Sequence, residues 1–122
     1  MNNNLLLCVN SGHFDYCIMD EASQISEPLA LGPILIADKF VMFGDFYQLN
    51  PLVKSSWAER KGLGISLFER LCRKHPDNVT ILKRQYRMSK DILELSNNLV
   101  YNGVMENGSA EIATQNVHFP NE

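Results

Sequence analysis

Cysteine is scarce in this sequence. Three cysteines, at positions 8, 17 and 72, occur among 122 residues, and none belongs to a Cys-x-x-Cys pair. This excludes a disulfide framework and gives no zinc site with the usual ligand spacing. Cys8 and Cys17 lie in apolar runs, which predicts thiols that are buried in the core of a protein from a reducing compartment.

Long apolar runs and an excess of positive charge are lacking as well. The longest mostly apolar stretch, residues 28–37, is about half of what a membrane span needs. The run at 5–9 is short for a secretory signal and follows no basic residue, so we expect a soluble intracellular protein. The net charge is −3, so contact with nucleic acid would require a local groove or parts outside this chain.

Four short apolar runs show almost no alternation with polar residues. Such runs are typical of parallel strands that are buried on both faces of a sheet. They lie at residues 5–9, 14–19, 39–44 and 78–82. Helical patterns separate the last three, and this alternation predicts an α/β fold with a parallel sheet and flanking helices.

The helix signals are clear at three places. Ser26 is a capping residue, and Pro28 suits the first position of the helix after it. Ser66 and Glu69 form a capping box for a second helix, which residues 75–76 (His-Pro) close.

A third helix is predicted over residues 89–101, with Asn102 and Gly103 at its end. The polar tail should turn at residues 107–108. A change of domain is placed near residues 82–84, where the fourth apolar run ends.

Acidic and amide side chains follow two of the predicted strands. Asp20 and Glu21 come after the second run, and Asp45 and Gln48 follow Gly44 after the third. Open α/β sheets place their ligands at the carboxyl ends of strands. There an Asp can hold Mg²⁺, an adjacent carboxylate can polarise a water, and a Gln amide can contact water and phosphate. Plainer interpretations remain open: acids that favour a helix start, and a Gly-Asp turn.

Tyr86 and Arg87 lie in the stretch "QYRM" at a strand-to-helix junction. An Arg that reaches a γ-phosphate acts as an arginine finger, and a neighbouring Tyr can stack on a base. The alternative is a surface arginine beside a half-buried tyrosine.

In combination, "DEASQ", "GDFYQLNP" and "QYRM" resemble motifs II, III and IV of superfamily 1 helicases. Residues 14–108 look most like the eukaryotic DNA replication ATP-dependent helicase/nuclease family. The resemblance implies a partial RecA-like sheet of the P-loop NTPase type. Residues 1–84 would be the C-terminal part of a first RecA-like domain, and residues 85–122 the start of a second.

The resemblance also implies a role for each motif residue. Asp20 would coordinate Mg²⁺, Glu21 would be the general base for the attacking water, and Gln48 would sense the γ-phosphate of ATP. From the second domain, Tyr86 would stack on the adenine and Arg87 would be the arginine finger.

The sequence departs from the family pattern at several points. Phe46 stands where close relatives have His, and Asn50 stands where they have Pro, which could loosen the loop. No Gly-x-x-x-x-Gly-Lys-Ser/Thr occurs, so the Walker A phosphate cradle is missing. The family's nuclease domain and iron–sulfur cysteines are missing too. We therefore interpret the chain as an internal piece of a helicase, inactive by itself.

We expect the chain to contribute the Mg-ATP hydrolysis motifs of a 5′–3′ DNA helicase of replication and repair. The expected partner is single-stranded DNA, and the expected location is the nucleus or mitochondrion. Three alternatives stay open. An RNA helicase of the nonsense-mediated-decay type shares the motifs, and a non-catalytic remnant would bind a partner or nothing. A metal hydrolase would need further ligands near Asp20, where His13 is the only nearby candidate.

Overall fold

A computed structural model of the chain describes residues 12–115, and these residues form two compact units that divide between Val79 and Thr80. Both units combine helices with a pair of parallel strands, which confirms the predicted α/β class. The run at 5–9, including Cys8, lies outside the described residues. No helix among residues 12–115 is long and apolar enough to cross a membrane.

The sheet of the first unit consists of β1 (Phe14–Met19) and β2 (Ala37–Met42), which run parallel. Strand β1 has the predicted bounds, whereas β2 both begins and ends two residues earlier than the predicted run. The register pairs Phe14 with Ala37 and Met19 with Met42. The two strands therefore end at the same edge of the sheet.

The prediction that these strands are buried on both faces is wrong. Met19 lies in the core and Cys17 packs half-buried against it, whereas Tyr16 and Ile18 are 60% and 71% exposed. Successive side chains of a strand point to opposite faces. Only one face of β1 is therefore covered by the part of the chain that the structure describes.

Helix α1 (Glu27–Ile34) starts directly after Ser26, with Pro28 at its second rather than its first position, and the Ser26 hydroxyl does not cap it. A capping side chain accepts from the second or third N–H of a helix. Pro28 has no N–H, and the N–H of Leu29 donates to the backbone carbonyl of Ser26 at 3.0 Å. The Ser26 hydroxyl therefore has no N–H to accept from, because Pro28 has none and the N–H of Leu29 is already bonded to the Ser26 carbonyl.

Between β2 and the next long helix, the chain forms α2 (Ser56–Ala58) and a π-helical turn (Glu59–Leu63). Helix α3 (Leu67–Lys74) then begins as predicted, because the Ser66 hydroxyl accepts from the N–H of Glu69 at 3.1 Å. The Glu69 carboxylate binds Arg73 one turn later. Leu67 and Phe68 of α3 pack with α1 residues around Met19 and Ala30.

The predicted strand at 78–82 is wrong. Residues 76–78 form a 3-10 turn, and the described chain forms no strand between residues 79 and 83. Ile81 and Leu82 are 61% and 71% exposed. An apolar run becomes a strand only beside a neighbour that pairs with it, and β1 and β2 pair with each other alone among the described residues.

The second unit contains β3 (Arg84–Gln85), α4 (Lys90–Ser96), β4 (Glu106–Asn107) and α5 (Ala110–Ala113). Helix α4 continues through a π-helical turn, Asn97–Tyr101, and ends at Asn102 and Gly103 in left-handed conformation, as predicted. At the predicted turn, Asn107 belongs to β4, which runs parallel to β3, and the chain bends at Gly108. The first residue of the predicted turn is therefore paired with a distant strand.

Candidate functional site

Asp20 and Glu21 form the exit from β1. The backbone N–H of Glu21 donates to Asp20 Oδ1 at 2.9 Å, and Gln24 Nε2 donates to Glu21 Oε2 at 3.0 Å. Glu21 has φ 51° and ψ 37°, in the left-handed region that residues with a Cβ rarely adopt. Backbone strain of this kind costs about 1–3 kcal/mol and concentrates at functional sites. The acids therefore occupy a strained exit rather than the first turn of an ordinary helix.

Asp45 and Gln48 lie in the loop after β2. One Asp45 oxygen accepts from the N–H of Tyr47 at 3.0 Å, and the other accepts from Gln48 Nε2 at 2.7 Å. The Gln48 N–H also donates to the Asp45 carbonyl at 3.2 Å. Asp45 thus fixes both the turn and the amide group of Gln48 in one orientation.

The two loops are joined by backbone contacts. The N–H of Phe43 donates to the Met19 carbonyl, and the N–H of Ala22 donates to the Phe43 carbonyl, both at 2.8 Å. Gly44 follows, and a Cβ at this position would lie 2.9 Å from the backbone nitrogen of Ser23. The pair after β1 and the pair after β2 therefore share one edge of the sheet, as the sequence predicted.

Ser23 is a residue that sequence reasoning missed. It is 1% exposed, and its hydroxyl has no hydrogen-bond partner among the described residues. Gln24 and Asp45 were missed as supports for Glu21 and Gln48. Their spacing, a polar side chain three residues from the candidate within one tight turn, is the signal that could have indicated them.

Tyr86 and Arg87 belong to the second unit, in the loop between β3 and α4. Gln85 shapes this loop, because its Oε1 accepts from the N–H groups of Arg87 and Met88 at 2.7 and 2.6 Å. The Tyr86 ring lies against Gly108, where a Cβ would come within 2.2 Å of Cζ. Tyr86 is 63% exposed, and Arg87 is exposed as well.

The candidates are thus divided between the two units. The first unit brings Asp20, Glu21 and Gln48 together at its sheet edge. The second unit holds Tyr86 and Arg87 next to each other in one loop.

The hydrolase alternative requires metal ligands in addition to Asp20. His13 Nε2 lies 2.6 Å from Asp38 Oδ1, at the opposite end of β1 and roughly 20 Å along the strand from Asp20. Among residues 12–115, no group of three His, Cys, Asp or Glu side chains could hold a metal ion. Burial raises the pKa of the Cys72 thiol, which keeps it protonated at neutral pH. Within the described residues, the hydrolase alternative therefore lacks a ligand set.

Comparison with known proteins gives two family matches and close relatives. Two families, each described as an AAA domain, match residues 3–56 and 63–122. DNA replication ATP-dependent helicase/nuclease dna2 of Schizosaccharomyces pombe is 51% identical over 111 residues, which cover 91% of this chain and 8% of that protein. DNA2 of Saccharomyces cerevisiae is 48% identical over 118 residues, 97% of this chain and 8% of that protein.

The human protein of the same name is 48% identical over 100 residues, which cover 82% of this chain and 9% of its own length. The chain therefore spans about a tenth of the length of the curated relatives that it matches.

Proposed function

We propose that the chain, which is similar to two AAA-domain families and to one segment of the DNA replication ATP-dependent helicase/nucleases, supplies hydrolysis motifs to an ATP-driven helicase that moves along single-stranded DNA. The observation that carries the proposal is the shared sheet edge beyond β1 and β2. Two loops present Asp20, Glu21 and Gln48 there, at the end of a parallel sheet where α/β folds bind ligands.

The acidic side chains at this edge fit a magnesium nucleotide. In nucleotide sites Mg²⁺ is held by one or two carboxylates, together with phosphate oxygens and waters. Asp20 offers an exposed carboxylate, one oxygen of which the Glu21 N–H already holds. We assign Asp20 to the metal. The ion, when bound, neutralises charge that develops on the phosphate oxygens.

Glu21 is proposed as the general base. A base must lie within hydrogen-bond reach of the water it deprotonates, directly or through one water. The Gln24 amide holds one Glu21 oxygen, so the carboxylate has a fixed direction before substrate arrives. The left-handed backbone of Glu21 also supports this role, because strained residues are concentrated at functional sites, where the strain can preorganise a reactive group.

Gln48 is proposed to report the γ-phosphate. Its Nε2 donates to Asp45 in a tight turn, so a change in contact with phosphate or water would be passed to the loop after β2. Asp45 acts here as a positioning residue, because it holds Gln48 and contacts no reacting atom in this assignment.

Arg87 and Tyr86 are proposed to serve the nucleotide from a second RecA-like domain, which would begin at residue 85. The compact units divide close by, between Val79 and Thr80, whereas the two AAA-domain matches divide between residues 56 and 63. We place the boundary after α3 rather than between residues 56 and 63, because Leu67 and Phe68 of α3 pack into the core of the first unit.

The test is a chimera in which this chain replaces the matching 111-residue segment of the Schizosaccharomyces pombe relative. We expect ATP hydrolysis that single-stranded DNA stimulates. Arg87→Ala should lower kcat by about 10³-fold or more, as the loss of an arginine finger does. Glu21→Gln should abolish turnover, since the amide accepts no proton from water.

Asp15→Asn is the matched control, because Asp15 is an exposed acid of the same strand away from the edge; it should leave turnover unchanged. Unwinding of matched DNA and RNA duplexes separates the DNA helicase from the RNA helicase alternative. The 122-residue chain by itself should not hydrolyse ATP. Turnover by that chain that Glu21→Gln abolishes would contradict the proposal, as would a chimera in which Glu21→Gln leaves hydrolysis unchanged.

A further inference from the structure

The first unit contains a groove outside the candidate site. It is bordered by three parts of the chain: α1, α2 with the π-helical turn after it, and α3. Its volume is about 480 Å³. We call it the Trp57 groove; its lining includes Pro28, Leu31, Trp57, Lys61, Leu63 and Arg70. The proposed helicase chemistry makes no use of any of these side chains.

Trp57 is the main apolar surface of the groove. It is the only tryptophan of the chain and is 65% exposed. Lys61 Nζ lies 5.9 Å from the centre of its ring. The pair therefore offers a large aromatic face with a cation beside it to a ligand that can stack on the ring.

Charge around the groove has mainly one sign, although the chain as a whole is acidic. Residues 54–74 contain six Lys or Arg and two Asp or Glu, whereas residues 12–53 contain one Lys and six acids. Of the two acids in the basic segment, Glu69 is neutralised by Arg73. Arg70 pairs with Glu27 at the edge of the groove, so Lys61 is the groove cation that has no acid partner among the described residues.

We propose that the Trp57 groove is a subsite for single-stranded nucleic acid, in which a base stacks on Trp57 and the phosphate beside it meets Lys61. An exposed aromatic ring next to a cation is the pairing that sequence-independent single-strand binding uses. A duplex keeps its base faces covered and offers the ring nothing to stack on. Tryptophan also suits a protein partner, but a lysine without an acid partner beside the ring favours a phosphate-bearing strand, because lysine is depleted in the cores of protein interfaces. The choice of DNA as the strand rests on the proposed function.

The single tryptophan makes the test direct, because the tryptophan fluorescence of the 122-residue chain reports on Trp57 alone. We expect a twelve-nucleotide deoxythymidine strand to quench this emission in a saturable manner. Affinity should fall with salt, with a log–log slope of about −0.7 for each phosphate contact. A duplex of the same length and inorganic polyphosphate should leave the emission unchanged, since neither offers an open base.

Variants are compared by the anisotropy of a labelled deoxythymidine strand. Trp57→Ala should weaken binding by about 5- to 100-fold, the loss expected for one stacked base, and Trp57→Phe should retain most of the affinity. Lys61→Met should weaken binding and reduce the salt slope by about 0.7. Lys39→Met is the matched control and should bind normally, because Lys39 forms a similar pair with Tyr16, 5.5 Å from its ring, outside the groove.

Three results would overturn the inference: normal binding by Trp57→Ala, an equal loss in Lys39→Met and Lys61→Met, or Trp57 emission that changes with protein concentration without DNA. The last result would assign the groove to a contact between copies of the chain. The outcome is separable from that of the proposed function. Quenching together with an inactive chimera removes only the proposed hydrolysis, and an active chimera with normal binding by Trp57→Ala removes only this subsite.

Discussion

At the residue scale, the tight contact between the two strand-end loops depends on Gly44. A Cβ there would meet the Ser23 nitrogen at 2.9 Å and the Ala22 nitrogen at 3.3 Å, and neither backbone atom can move away alone. We expect Gly44→Ala to lower the free energy of unfolding by about 1–3 kcal/mol, as overpacking does. Urea denaturation followed by circular dichroism measures this.

Gly32→Ala is the matched control for that substitution. Gly32 lies within α1, and a Cβ there would meet no atom within 4 Å. Alanine should therefore raise the free energy of unfolding by up to about 1 kcal/mol through its higher helix propensity. Equal effects of the two substitutions would contradict the proposed crowding at Gly44.

Sequence reasoning identified the candidate residues but not what holds them. Asp20, Glu21 and Gln48 were predictable because their types follow apolar runs in an order that the motifs specify. The left-handed backbone of Glu21 was not, since Glu has no preference for that region. The residue type at position 21 therefore gives no sign of this conformation.

At the scale of elements, two serines that both precede predicted helices behave differently. The Ser66 hydroxyl accepts from Glu69, whereas Ser26 caps α1 through its backbone carbonyl alone. We expect Ser66→Ala to lower the free energy of unfolding by about 1 kcal/mol or more, because Ser66 is also fully buried. Ser26→Ala should change it by a few tenths at most. A comparison of the two urea midpoints checks this, and a larger loss at Ser26 would contradict the assignment.

Elements with local signals were predicted better than elements that depend on distant partners. A compact apolar run predicted the bounds of β1. Serine, proline and glycine signals predicted where α1 and α3 start and where the helix that begins with α4 ends. The strand predicted at 78–82 and the unpredicted β4 depend on pairing across many residues. A single sequence does not reveal which strands find partners.

At the scale of the whole molecule, the described chain leaves most of its large apolar side chains exposed. Among the described residues, the buried hydrophobic residues of the core are Met19, Ala22, Ala30 and Leu93, and Pro51 is buried as well. A core this small gives little stability, because burial of apolar surface is the main term that opposes chain entropy. We infer that the uncovered face of the β1–β2 sheet would be covered in a longer protein of the helicase/nuclease kind.

Neighbouring residues of β1 test this inference, because Ile18 lies on the uncovered face and Met19 in the core. In the isolated chain, Ile18→Lys should reduce self-association in sedimentation velocity and leave the melting temperature nearly unchanged, whereas Met19→Lys should unfold the first unit. In the chimera, both substitutions should impair hydrolysis, because the sheet of a RecA-like fold is covered on both faces. A chimera that tolerates Ile18→Lys would show that this face stays open to solvent.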